Sequence, residues 1–83
     1  MIKNEQERVR IGQRIADLRK TIKWKDGAGK WRTGWTQAEL AERSGLQRSH
    51  IARLEKGAYG ATIDVLSAIA GALGVTVDFV EQL

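Results

Sequence analysis

The chain has 83 residues, a formal net charge of +4, one histidine, no cysteine and no proline. These totals describe one small domain that buries only about 60% of its unfolded surface. They exclude a disulfide framework and leave too few ligands for a typical zinc site. No apolar run approaches the ~20 residues of a membrane-spanning helix, and the charged start "MIKNEQERVR" has no apolar signal region, so a cytoplasmic protein is expected.

The charge is unevenly spread. Every Lys and Arg lies at or before Lys56, and the remainder carries Asp64, Asp78 and Glu81 with no base. A basic portion joined to an acidic one suggests a face for a polyanion and a separate face for another contact.

Asn4 followed by Glu7 signals the start of a first helix over about 5–21. Ile11, Ile15, Leu18 and Ile22 recur at spacings of four, three and four, which puts an apolar stripe on one side.

The next stretch, "KWKDGAGKWR", contains "GAGK", a fragment of a phosphate-binding loop. The full pattern G-x-x-x-x-G-K-[ST] fails twice: Trp24 stands where the first Gly belongs and Trp31 where Ser or Thr belongs. "DGAG" is turn chemistry instead. Folding the chain symmetrically about it predicts a β-hairpin over 22–33 in which Lys25 faces Lys30, Trp24 faces Trp31, Lys23 faces Arg32 and Ile22 faces Thr33. One side of that ribbon would carry both tryptophans and pack on the helices with Trp35. The other would carry Lys23, Lys25, Lys30 and Arg32 as a basic wing for phosphates. A solvated loop and a dimer or partner contact are the alternatives.

"TQAE", starting at Thr36, is a capping box. It opens a short second helix whose apolar side is Ala38, Leu40 and Ala41 and which Gly45 ends. A third helix runs from about Gln47 to Lys56, buries Ile51 and Leu54, and stops at Gly57. At 100° per residue, Ser49, Arg53 and Lys56 point away from the buried side, Arg48 and Ala52 flank them, and His50 sits at the boundary. That outward side holds no acid; Glu55 faces inward. Thr62 caps a fourth helix to about Leu73, with Ile63, Leu66, Ile69, Ala70 and Leu73 as its core stripe and Gly74 as its stop. In "VTVDFVEQL", residues 76–82 read as a short helix capped by Thr76, with an alternating strand as the alternative.

Two short helices joined at a glycine, the second with a basic outer side, form a helix-turn-helix arrangement. The DNA major groove, about 12 Å wide, admits one α-helix, and the preceding helix braces it across the phosphates. "TQAELAERSGLQRSHIARLEKG" resembles the helix-turn-helix of phage repressors, Cro and Xre-type bacterial regulators. "IGQRIADLRK" is similar to that family's first helix and "TIDVLSAIAGALGVTVDFV" to its fourth and fifth. The resemblance implies an all-α, five-helix lambda-repressor-like domain over 1–83, with the hairpin as an insertion between helices 1 and 2. It implies base reading by Gln47, Arg48, Ser49 and Arg53, phosphate contacts from Gln37, His50 and Lys56, and an internal pair between Arg19 and Glu55. Gln47 departs from the Ser or Thr usual at the head of that third helix.

The expected function is sequence-specific binding of double-stranded DNA by a transcriptional repressor. It would act as a homodimer, joined through the segment after Gly57, on a palindromic operator. The alternative is an antitoxin-like module that binds a toxin and represses its own promoter. No cofactor motif is present, and no paired carboxylates on a shared face point to an enzyme.

Overall fold

A computed structural model describes residues 4–58 and 61–75. In chain order the elements are α1 (Glu5–Thr21), β1 (Lys23–Lys25), β2 (Trp31–Thr33), α2 (Gln37–Ser44), α3 (Arg48–Glu55) and α4 (Ile63–Leu73). The described residues thus hold four helices and a hairpin between the first two, rather than five helices. The expected last element, 76–82, lies outside them.

Three of the helix starts are capped by the side chains expected to do it. Asn4 Oδ1 accepts from the Glu7 N–H at 3.1 Å, and Thr62 Oγ1 from the Val65 N–H at 3.2 Å. Thr36 and Glu39 form the complete reciprocal box at 3.1 and 2.9 Å. Gln47 stands at the head of α3 with no side-chain capping bond. Gly45 and Gly74 end α2 and α4 in the left-handed conformation, which a residue without a Cβ adopts cheaply.

The core is drawn from all four helices: Ile15, Leu40, Ile51, Leu66 and Ile69 are its largest fully buried side chains. Burying each stabilises the fold by about 1.5–3 kcal/mol. Leu18 and Ile22 complete the α1 stripe as partly buried neighbours of this cluster. Ile63, expected in the α4 stripe, is instead 61% exposed. It is the first residue of α4, and the Cα–Cβ bond tilts towards the helix N-terminus, which carries its side chain past the end of the packed layer.

α1 and α3 meet at Gly12. A Cβ there would stand 2.2 Å from the Leu54 carbonyl oxygen and 2.8 Å from that of Glu55. The helices approach that closely only because position 12 has no side chain. No helix among the described residues is long and apolar enough to cross a membrane.

The hairpin forms, but not in the symmetric register. Lys23 pairs with Thr33, Trp24 with Arg32 and Lys25 with Trp31. The Asp26 N–H donates to the Lys30 carbonyl and the Gly29 N–H to the Asp26 carbonyl, both at 2.9 Å, which closes a three-residue loop. Gly29 takes the left-handed position at φ 80°, as such loops require. Asp26 Oδ1 accepts from the Ala28 and Lys30 N–H groups, each at 2.9 Å.

This one-residue slip exchanges partners and faces. Lys23, Lys25, Trp31 and Thr33 share one side; Trp24 and Arg32 share the other. Like charges no longer stand directly opposite. Trp24 packs against the core as expected, whereas Trp31 is 65% exposed. The four basic residues do not form one face, because Lys30 and Arg32 alternate onto the Trp24 side, where Arg32 pairs with Asp26 at 2.7 Å.

Candidate nucleic-acid interface

α2 and α3 meet at the Gly45 turn, where the Leu46 N–H returns to the Ala41 carbonyl at 2.9 Å. Leu40 and Ala41 on one helix and Ile51 and Leu54 on the other are buried, so the two helices are held as a unit. Away from that seam, Arg48, Ser49, Arg53 and Lys56 are exposed, Ala52 and His50 are half-buried, and Gln47 lies exposed at the head of α3. At helical spacing, Ser49, Arg53 and Lys56 form one stripe.

The acid of α3 is withdrawn and neutralised. Glu55 receives Arg19 Nε at 2.7 Å and Arg19 Nη2 at 2.9 Å, a two-point contact from α1. Both side chains are nearly buried, at 11% exposure for Arg19 and 8% for Glu55. The third guanidinium nitrogen, Arg19 Nη1, donates to the Trp35 carbonyl at 2.8 Å. The pair keeps the charge of Glu55 off the outer side of α3.

The network continues outward. Gln37 Nε2 donates to Glu55 Oε1 at 3.0 Å, and Gln37 Oε1 accepts from Arg48 Nη1 at 3.2 Å. A chain of hydrogen bonds therefore runs from α1 through α3 to the first residue of α2 and back to the first residue of α3. It brings together Gln37 and Arg48, the two ends of the helices that would meet DNA. Glu39, beside them, has its carboxyl held below its ordinary value of 4.5, chiefly by the Thr36 backbone N–H.

The hairpin is anchored next to this network. The Gly34 N–H donates to the Ile22 carbonyl at 2.7 Å and the Trp35 N–H to the Arg19 carbonyl at 2.9 Å. Trp24 Nε1 donates to the Gly34 carbonyl at 2.9 Å. The Arg43 guanidinium lies 5.3 Å from the Trp24 ring centroid and 4.6 Å from that of Trp35. Sequence reasoning did not single out Arg43. Nothing in the local pattern distinguishes it from any exposed arginine near a helix end, and its partners lie in other elements.

A profile of the helix-turn-helix family matches residues 30–80. The chain belongs to the Xre-type helix-turn-helix family of DNA-binding transcription regulators. Its relatives include the immunity repressor protein of Bacillus phage phi105, 39% identical over 67 residues, which covers 81% of this chain and 39% of the phage protein. An uncharacterised HTH-type transcriptional regulator of Methanothermobacter thermautotrophicus is 51% identical over 41 residues, covering 49% of this chain and 59% of that one. The chain therefore matches less than two thirds of the length of either relative. Among solved structures, it is similar to the restriction-modification controller protein C.AhdI from Aeromonas hydrophila, with a TM-score of 0.72 and 28% identity over 92% of this chain and 94% of that one. It is also similar to the clp gene regulator ClgR from C. glutamicum, with a TM-score of 0.70 and 28% identity over 92% of this chain and 84% of that one.

Proposed function

We propose that this chain is a sequence-specific repressor that binds double-stranded DNA as a dimer on a palindromic operator. The observation that carries the reading is the acid-free outer side of α3, braced by α2 and cleared of negative charge by the Arg19–Glu55 pair. In this reading Gln47, Arg48, Ser49 and Arg53 face base edges, and Arg48 and Arg53 are suited to bidentate bonds with guanine O6 and N7. Gln37, His50 and Lys56 take phosphates. The hydrogen bond between Gln37 and Arg48 orients both before DNA arrives, which lowers the cost of ordering two long side chains on binding.

A single α3 reads only a few base pairs, so two-fold pairing on half-sites about 34 Å apart supplies a longer site. The exposed Ile63 at the start of α4 belongs to the base-free segment after Gly57 and offers apolar surface to a second copy. The similarity to a phage immunity repressor supports repression as the outcome of binding.

Selection of bound duplexes from a random pool tests this directly. The expected result is an enriched inverted repeat with half-sites one helical turn apart, bound by two copies in sedimentation analysis. Arg53→Ala should relax preference at one position of each half-site at a cost of about 1–3 kcal/mol, while Lys56→Ala, at a phosphate position outside the Gln37–Arg48 bond, should weaken all sequences alike. A pool that yields no enriched sequence overturns the reading.

A further inference from the structure

We propose that the outer side of the hairpin, Lys23 and Lys25 around the exposed ring of Trp31, together with Lys30 at the end of the loop, is a second DNA-contact surface. It takes the sugar–phosphate backbone beside the sequence read by α3. The inference rests on the DNA-binding reading above and adds to it a surface outside the helix-turn-helix.

The register decides which charges are available. Asp26 is the hairpin's acid, and it is occupied on the other side. It holds Arg32 at 2.7 Å and accepts two loop N–H groups, and its side chain is only 16% exposed. Arg32 is correspondingly committed. Lys23, Lys25 and Lys30 are exposed with no acid among the hairpin residues left to meet them. Lys23 Nζ donates to Thr33 Oγ1 at 3.0 Å, and Lys25 Nζ stands 5.4 Å from the Trp31 ring centroid. Both contacts steer the ammonium groups over the ribbon and leave their charges uncancelled.

Trp31 adds the second half of the argument. Leaving a tryptophan 65% exposed forgoes burial that Trp24, on the same ribbon, obtains. A bare indole ring flanked by cations complements a partner that offers anions and apolar patches in alternation. A nucleic-acid backbone does so with phosphate oxygens and deoxyribose.

Position selects DNA over other polyanions. The hairpin base shares Arg19 with the network that sets Gln37 and Arg48, and Arg43 clamps Trp24 to Trp35. The ribbon is thus tied to the start of α2, the end that meets phosphates. At about 3.3 Å per residue its paired arm, Lys23 to Asp26, extends about 13 Å, enough to follow about four base pairs of duplex axis.

The test compares the wild-type chain with the triple variant K23Q/K25Q/K30Q, using fluorescence anisotropy on a duplex recovered from the random pool over a series of salt concentrations. The triple variant should keep its sequence preference and show a shallower salt slope, by about 0.9 for each phosphate that is no longer neutralised. The charge-retaining variant K23R/K25R/K30R should restore the wild-type slope. Trp31→Ser should weaken binding at an unchanged slope. Wild-type slope and affinity in K23Q/K25Q/K30Q would overturn the hairpin contact while leaving the α3 reading intact. A wild-type chain that binds no duplex overturns both. Retention on phosphatidylserine vesicles that disappears in the triple variant, with duplex affinity unchanged, assigns the surface to lipid and overturns the proposal.

Discussion

Replacing Glu55 by Gln probes the junction on which the α1–α2–α3 arrangement depends. The wild-type carboxylate accepts two bonds from Arg19 and one from Gln37. A Gln amide has one acceptor oxygen and one donor nitrogen, so one existing donor must face another. The substitution also leaves the Arg19 guanidinium, 11% exposed, without its counter-charge. Breaking one side of a buried pair costs about 3–5 kcal/mol. The residual exposure admits some water and favours the low end, about 3 kcal/mol. Typical domains hold roughly 0.05–0.15 kcal/mol per residue, which is about 4–12 kcal/mol for a chain of this length. The substitution therefore removes a quarter or more of the stability. At about 4–8 °C per kcal/mol for a domain of this size, the melting temperature should fall by about 12 °C or more in circular dichroism. The double variant R19M/E55L, which replaces the pair by apolar groups, should be less destabilised than E55Q. A melting temperature for E55Q within about 4 °C of wild type would refute the reasoning, because it would mean that the pair is solvated as on an open surface.

Gly12→Ala should destabilise the fold even though Ala is the better helix former by about 1 kcal/mol. The added Cβ meets backbone carbonyls that cannot swing aside, and such overpacking typically costs about 1–3 kcal/mol or more; a raised denaturation midpoint in urea would contradict the close approach of α1 and α3. Arg43→Ala removes two cation–π contacts worth about 0.5–1 kcal/mol each and should shift Trp24 emission to longer wavelength, whereas an unchanged spectrum would show that the clamp is not made. Asp26 has its carboxyl held below its ordinary value of 3.8, first by the Arg32 side chain and then by the Lys30 N–H, against an opposing effect of desolvation. A lowered folded-state pKa means that the turn's stabilisation is complete above the unfolded value and is lost as the pH falls through the folded one. The hairpin's amide and indole NMR shifts should therefore stay constant from pH 7 to about 5 and move only below 3.8, and D26N should abolish that step. A transition near neutral pH, or one that persists in D26N, would overturn the assignment.

Much of the architecture was legible because it rests on short-range chemistry. Capping residues at Asn4, Thr36 and Thr62, left-handed glycines at Gly45 and Gly74, and apolar spacing of three and four along α1 and α4 each act within a turn or two of chain. The outward position of Ser49, Arg53 and Lys56 follows from helix geometry once Ile51 and Leu54 are buried. The hairpin's existence was legible for the same reason, and part of its register was too. Asp26 followed three residues later by Gly29 is the Asp-first, Gly-last pattern of a type I turn, and reading the turn as symmetric missed it.

Tertiary structure decided what depends on partners distant in the chain. Gly12 looks like a weak helix position until α3 is laid across it. Arg43 looks like a solubilising charge until Trp24 and Trp35 flank it, and Ile63 fits the α4 stripe until the packed layer ends beneath it. Local spacing and capping determined the four described helices, the tight turn between α2 and α3, and a basic surface without acids. Long-range packing decided that Glu55 is neutralised rather than merely inward, that Arg32 is spent on Asp26, and that Trp31 faces solvent beside Lys23 and Lys25. The physical reason is one of range: hydrogen-bonded turns and helical periodicity are set by near neighbours, whereas which charges remain available depends on where the rest of the chain places their partners.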